Sequence, residues 1–115
     1  MKDRTALRER FLRDSIPIRL GGLAANLSRV QSFAGHEANQ QVVVGLLEES
    51  KFFIEWTAAE TDLETAAELV DLQVQLACWQ KAWHRIWNDR ARRQQVAIES
   101  GRWSQRVLEL SGLLG

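Results

Sequence analysis

The sequence predicts an all-α protein, an up-down helical bundle of three to four main helices with one long helix and short terminal helices. No stretch alternates apolar and polar residues in the pattern of a half-buried strand. Apolar residues instead recur at three- and four-residue spacing along most of the chain. Only one proline interrupts the 115 residues, and 45% of them are apolar, which is typical of a folded globular protein. We therefore expect one helical-bundle domain over residues 1–115.

The first two helices are separated by a proline. A short helix is predicted over residues 3–13, and it ends before Pro17 because the residue that precedes a proline is disfavoured in the α region. A second helix begins at about Pro17, which a first turn tolerates, and ends at about Ala34, before Gly35. Its apolar positions share one face: Leu20, Leu23, Ala24, Leu27, Val30 and Ala34.

A third helix is predicted over residues 37–59 and has a wide apolar face. Gly45 costs this helix about 1 kcal/mol relative to alanine, and we expect it to allow the close approach of a neighbouring helix. The apolar face comprises Val43, Leu46, Leu47, Phe53, Ile54 and Trp56.

The fourth helix is predicted to be long. Thr61 and Glu64 form a capping box, and Asp62 adds negative charge where the helix dipole is positive. Neither proline nor glycine follows until Gly101. We expect one helix over residues 62–100, with Asn88–Asp89 as its weakest point, and a separate short helix over residues 102–113.

The length of this helix predicts assembly. A helix over residues 62–100 measures about 58 Å at 1.5 Å per residue, whereas a compact domain of this size is about 35 Å across. The projecting part would carry Ile86, Trp87, Val96 and Ile98, which are too apolar to remain bare. Helix one, or the last helix folding back at Gly101, is long enough to cover part of the projection. A homodimer in which the long helices pair is the predicted completion.

Charge is unevenly distributed although the net charge is zero. Residues 1–29 and residues 81–115 each contain seven basic and three acidic side chains, whereas residues 48–71 contain eight acids and one lysine. We expect the acidic segment to neutralise the basic ones, within one chain or between subunits. The absence of a positive surplus argues against a nucleic-acid partner.

The candidate binding residues are three tryptophans and two arginines. Trp79, Trp83 and Trp87 recur every four residues and so share one helix face, flanked by Arg85 and Arg90. Such a stripe fills a core or a dimer seam, or it forms a groove for a ligand or protein partner. Aromatic and basic residues together also suit single-stranded nucleic acid, where bases stack on rings.

No catalytic or metal-binding pattern is present in the sequence. His36 and His84 lack a partner at the spacing of helical metal sites, and Cys78 is interpreted as a small hydrophobe. No nucleophile elbow or glycine-rich phosphate loop occurs. The N-terminus lacks a secretory signal, and no apolar stretch is long enough to span a membrane. We expect a soluble cytoplasmic protein without metal or cofactor.

One pair of residues resembles a known motif. Arg29, followed by His36, is similar to the Arg-x4–6-His motif of the HEPN superfamily, helical bundles that include metal-independent ribonucleases. This resemblance implies phosphodiester cleavage by Arg29 and His36, at a site between two protomers. The leading prediction is a non-enzymatic homo-oligomer that binds another protein or a small ligand. The alternatives are the HEPN-like ribonuclease and a nucleic-acid-binding accessory protein.

Overall fold

A computed structural model describes residues 3–114, which form six α-helices and no strand. Turns of 3-10 helix at Glu37–Asn39 and Ala58–Glu60 precede and follow the third helix. None of the helices in this range is long and apolar enough to cross a membrane. The predicted all-α bundle is confirmed. The helices are α1 Thr5–Arg13, α2 Ile16–Phe33, α3 Gln40–Thr57, α4 Leu63–Lys81, α5 Trp83–Trp87 and α6 Arg90–Ser111.

Four helices form a ring around the core. α2 packs against α6 and α3, and α4 packs against α3 and less extensively against α6. α1 lies against α3, while α5 joins α4 to α6. The apolar face predicted for the second helix is entirely buried, from Leu20 to Ala34. Because α4 and α6 share the fewest contacts of the four neighbouring pairs, the ring is most open between them.

The predicted continuous helix over residues 62–100 is wrong. α4 ends at Lys81, and Ala82 leaves the helical region with φ −96° and ψ 10°. A second break follows at Asn88–Asp89, where the Asp89 carboxylate accepts hydrogen bonds from the main-chain N–H groups of Ala91 and Arg92. This cap satisfies donors that a helix start leaves unpaired. The chain therefore reverses direction, and its longest dimension is 37 Å.

The predicted separate helix over residues 102–113 is also wrong, because α6 continues through Gly101 to Ser111. Gly101 faces α2, and a Cβ atom placed there would lie 2.6 Å from the side-chain amide nitrogen of Gln31. Three residues later, the Ser104 hydroxyl donates to the main-chain carbonyl of Ala24 at 2.7 Å. Small residues at these positions serve close packing between α6 and α2.

Two details of the other helices also differ from the prediction. Asp62, rather than Thr61, caps α4, since its carboxylate accepts a hydrogen bond from the main-chain N–H of Thr65 at 2.7 Å. Hydrogen bonding to Thr65, first with its side chain and then with its main-chain N–H, lowers the pKa of Asp62. Gly45 is exposed, and no atom lies within 4 Å of a Cβ built there. No helix approaches α3 at this glycine.

The reversal removes the reason for which the sequence predicted a dimer, namely the length of a continuous helix over residues 62–100. Ile86, Trp87 and Val96 are buried by their own chain, and only Ile98 remains half-exposed. The returning helix α6 covers the apolar residues that a straight helix would have left projecting. Any case for assembly must therefore come from surfaces that the closed bundle leaves exposed.

Candidate interaction surface

Two of the three tryptophans in the predicted stripe belong to the core of the single chain. Trp79 is 6% exposed and Trp87 is 5% exposed, and the Trp87 indole N–H donates to the main-chain carbonyl of Glu37 at 3.1 Å. Trp83 is half-buried and stacks on Trp87 with 5.2 Å between ring centroids. Its indole nitrogen is buried without a hydrogen-bond partner among residues 3–114. The stripe therefore stabilises the end of the bundle where the chain reverses.

Within residues 3–114, the guanidinium of neither predicted arginine lies over one of these rings. Arg85 and Arg90 are exposed, and neither forms an ion pair within the described part of the chain. Arg93 is buried instead, and its guanidinium lies 5.6 Å from the centroid of the Trp87 ring. Sequence reasoning missed this role. Its three-residue spacing from the apolar Val96 in the same helix was the available signal, since residues three apart share a helix face.

The acidic segment pairs with both basic segments inside one chain. Arg106 on α6 donates two hydrogen bonds of 2.7 Å to the Glu68 carboxylate on α4, and these lower the pKa of Glu68. In the other basic segment, the buried Arg19 binds Glu60 at 2.9 Å, and Arg4 binds Glu48. Three acids of residues 48–71, namely Glu48, Glu60 and Glu68, are thus neutralised within the chain.

The residues of the HEPN-like motif are both on the surface. Arg29 lies near the end of α2, and His36 immediately precedes the first 3-10 turn. Both are exposed, and their side chains share no hydrogen bond in the described range. Cys78, interpreted from the sequence as a small hydrophobe on the apolar side of the fourth helix, is exposed on α4.

Helix α4 has a second apolar face that the bundle leaves uncovered. Its first face is buried in the core through Leu69, Leu72, Leu76 and Trp79. The second face is exposed, at 86% for Leu63, 49% for Val70 and 57% for Val74. The spacing of its residues, four-three-four-three, is that of a coiled-coil seam. We call this face the α4 crest, comprising Leu63, Ala67, Val70, Val74 and Ala77.

A groove runs along each side of the crest. The groove towards α6 has a volume of about 340 Å³ and includes the half-buried Trp103 and the Arg106–Glu68 pair. The groove towards α3 has a volume of about 270 Å³ and includes Lys51 and Phe52. Sequence reasoning missed both grooves and placed no emphasis on Trp103, which lies outside the four-residue stripe. The exposed apolar face of α4 therefore lies between two grooves.

No known family model matches the chain, and neither the curated proteins nor the solved structures include a match to it. Among residues 3–114, no group of three or more histidine, cysteine, aspartate or glutamate side chains is placed to hold a metal ion.

Proposed function

We propose that this chain is a non-enzymatic protein-interaction module that forms homodimers through the α4 crest. The observation that carries the proposal is the exposed apolar seam on a helix whose opposite face is buried in the core. Leu63, Val70 and Val74 share one helix face. Contiguous exposed apolar surface of this kind is characteristic of interaction sites, whereas scattered single residues are ordinary.

The dimensions of the crest predict a weak association. A helix of 19 residues is about 28 Å long and about 10 Å wide, which gives a footprint of roughly 300 Å². Stable interfaces bury about 800 Å² on each partner. The crest alone therefore supports a transient, concentration-dependent dimer.

The groove between α4 and α6 offers additional contact area beside the crest. It contains Trp103, Arg102 and Arg106, and tryptophan and arginine are the residue types most enriched at interface hot spots. Arg106 is already held by Glu68, so little side-chain ordering would be required on binding. A partner that covers the crest would reach this groove without rearranging the bundle.

Sedimentation velocity over a concentration series from low micromolar upwards tests the proposal. We expect the wild-type protein to shift towards a dimer as concentration rises and a Val70→Glu/Val74→Glu variant to remain monomeric. Val42→Glu is the matched control, because Val42 is also 49% exposed but lies on α3. It should associate like the wild type. Circular dichroism of each variant shows that it is folded.

A wild-type protein that remains monomeric throughout this series would show that the crest is not a dimer interface. Equal loss of association in the crest and control variants would place the contact elsewhere. Both outcomes contradict the proposal. The first excludes a dimer over this concentration range, whereas the second allows a dimer that forms through another surface.

A further inference from the structure

We infer that two copies of the chain pair their α4 crests antiparallel, about a two-fold axis; this inference rests on the proposed function. The exposed surface of α4 is acidic at its start and basic at its end. Glu64 lies beside Leu63, and Lys81 continues the crest spacing four residues after Ala77. Neither charge forms an ion pair with another residue of the range 3–114.

A parallel pairing would place identical charges side by side. Lys81 continues the crest spacing, so it would face Lys81 of the partner subunit across the seam. Like charges that face each other across an interface oppose association. A parallel seam therefore has unfavourable electrostatics at its basic end.

An antiparallel pairing places opposite charges together. In the register where Val70 packs against Val74 of the partner subunit, Ala67 packs against Ala77 of the partner subunit. Leu63 of one chain then meets the aliphatic stem of Lys81 of the partner subunit. The ammonium of that lysine extends past Leu63 to Glu64 of the first chain. The two-fold axis produces this ion pair twice. Asp71 is on the same flank as Glu64, seven residues later. It lies near its own copy only in the antiparallel register, where this repulsion offsets part of the attraction of the two ion pairs.

The composition of the seam also suits close antiparallel contact. Ala67 and Ala77 have the smallest side chains on the crest, and they oppose each other in this register. Interaxial distances of packed helices range over about 8–10 Å according to the size of the contacting side chains. We expect this pair of helices to lie at the short end of that range.

Charge reversal tests the orientation. Glu64→Lys and Lys81→Glu each place like charges at both ends of the antiparallel seam, so each should weaken the dimer roughly threefold to tenfold, as expected for two exposed pairs. The double variant Glu64→Lys/Lys81→Glu restores opposite charges and should recover wild-type affinity. Glu9→Lys on α1 makes the same change in net charge as Glu64→Lys, away from the crest, and is the control for that variant. In a parallel dimer, Lys81→Glu would only exchange one like-charge pair for another, and Glu64→Lys would create no like-charge pair across the seam.

Cross-linking with a short bis-maleimide gives a second measurement. The single cysteine, Cys78, would lie about 18 Å along the helix axis from Cys78 of the partner subunit in the antiparallel register, at 1.5 Å per residue. The wild-type protein should therefore cross-link poorly. Glu64→Cys places a thiol opposite Cys78 of the partner subunit and should yield a covalent dimer.

The outcomes separate this inference from the proposed function. Efficient cross-linking of the wild-type protein, together with single charge reversals that leave affinity unaffected, would overturn the antiparallel orientation while the dimer itself remained. A protein that is monomeric at every concentration would overturn the proposed function and this inference together.

Discussion

The guanidinium of Arg93 donates a hydrogen bond to the main-chain carbonyl of Trp87 and lies over the indole ring of the same residue. This contact joins the first turn of α6 to the end of α5. Trp87 in turn donates its indole N–H to the carbonyl of Glu37, just before α3. Arg93 and Trp87 therefore connect three segments of the chain at the point where it reverses, which makes the reversal the first target for mutation.

Arg93→Ala should destabilise the protein by about 3 kcal/mol. The substitution leaves the Trp87 carbonyl without its charged donor, and such hydrogen bonds contribute about 1.5–3 kcal/mol before lost packing is added. Urea unfolding followed by circular dichroism measures the change. The adjacent Arg92 has a half-exposed side chain, so Arg92→Ala should change stability by no more than about 0.5 kcal/mol. Similar values for the two variants would contradict a structural role for Arg93.

Trp87→Ala should cost about 3–5 kcal/mol, the range for removing a large aromatic side chain from a core. Trp103→Ala should cost clearly less, because Trp103 is only partly buried at the side of a groove. Differential scanning calorimetry of both variants checks the order. The reverse order would mean that the predicted stripe is not part of the core.

Asp89→Ala should destabilise the protein by about 1 kcal/mol because it removes the side-chain cap of α6. Asp89→Asn should retain most of the stability, since asparagine caps helices nearly as well. Asp71→Ala is the control, as Asp71 is exposed within α4 and caps no helix. Chemical denaturation distinguishes them, and equal losses at positions 71 and 89 would exclude a specific capping effect.

Gly45→Ala and Gly112→Ala should have opposite effects. Gly45 is an exposed helical residue with open space around it, so alanine should stabilise the protein by about 1 kcal/mol through helix propensity. Gly112 ends α6 with φ 76°, a region that costs other residues about 1–2 kcal/mol. Midpoints of thermal unfolding should move in opposite directions, and shifts of the same sign would contradict these conformations.

The Arg106–Glu68 pair should make stability depend on pH. The hydrogen bond from Arg106 lowers the pKa of Glu68 in the folded state, so the folded protein releases this proton more readily than the unfolded chain does. The resulting stabilisation is fully present above the unfolded pKa of about 4.3 and is lost as the pH falls through the lower folded pKa.

Glu68→Gln removes the titrating carboxylate. Comparison with the wild type therefore isolates the contribution of Glu68 to the pH dependence of stability. The difference in free energy of unfolding between the wild type and Glu68→Gln should be largest near neutral pH and should shrink as the pH falls below about 4.3. Urea titrations at several pH values measure this difference. A difference that grows on acidification would reverse the assigned direction of the pKa change.

Sequence reasoning identified part of the core but not the candidate interaction surface. It identified Trp79 and Trp87 as residues that share a face, and the structure places both in the core. It did not identify the α4 crest. Val70 and Val74 are four residues apart, as are the buried Leu72 and Leu76, so periodicity alone cannot tell which of two apolar faces a bundle will cover.

The sequence by itself determined the helical class, the boundaries around Pro17 and the buried face of α2, because these depend on local backbone preferences and on hydrophobic spacing within one helix. Only the tertiary structure decided where the fourth helix ends. The three- and four-residue spacing continues without interruption from Leu69 to Ile86, and Ala82 is by itself a strong helix former. The break at Ala82 brings α6 against α2, where Gly101 and Ser104 permit close packing. That packing joins residues about 80 positions apart, and no local pattern encodes it.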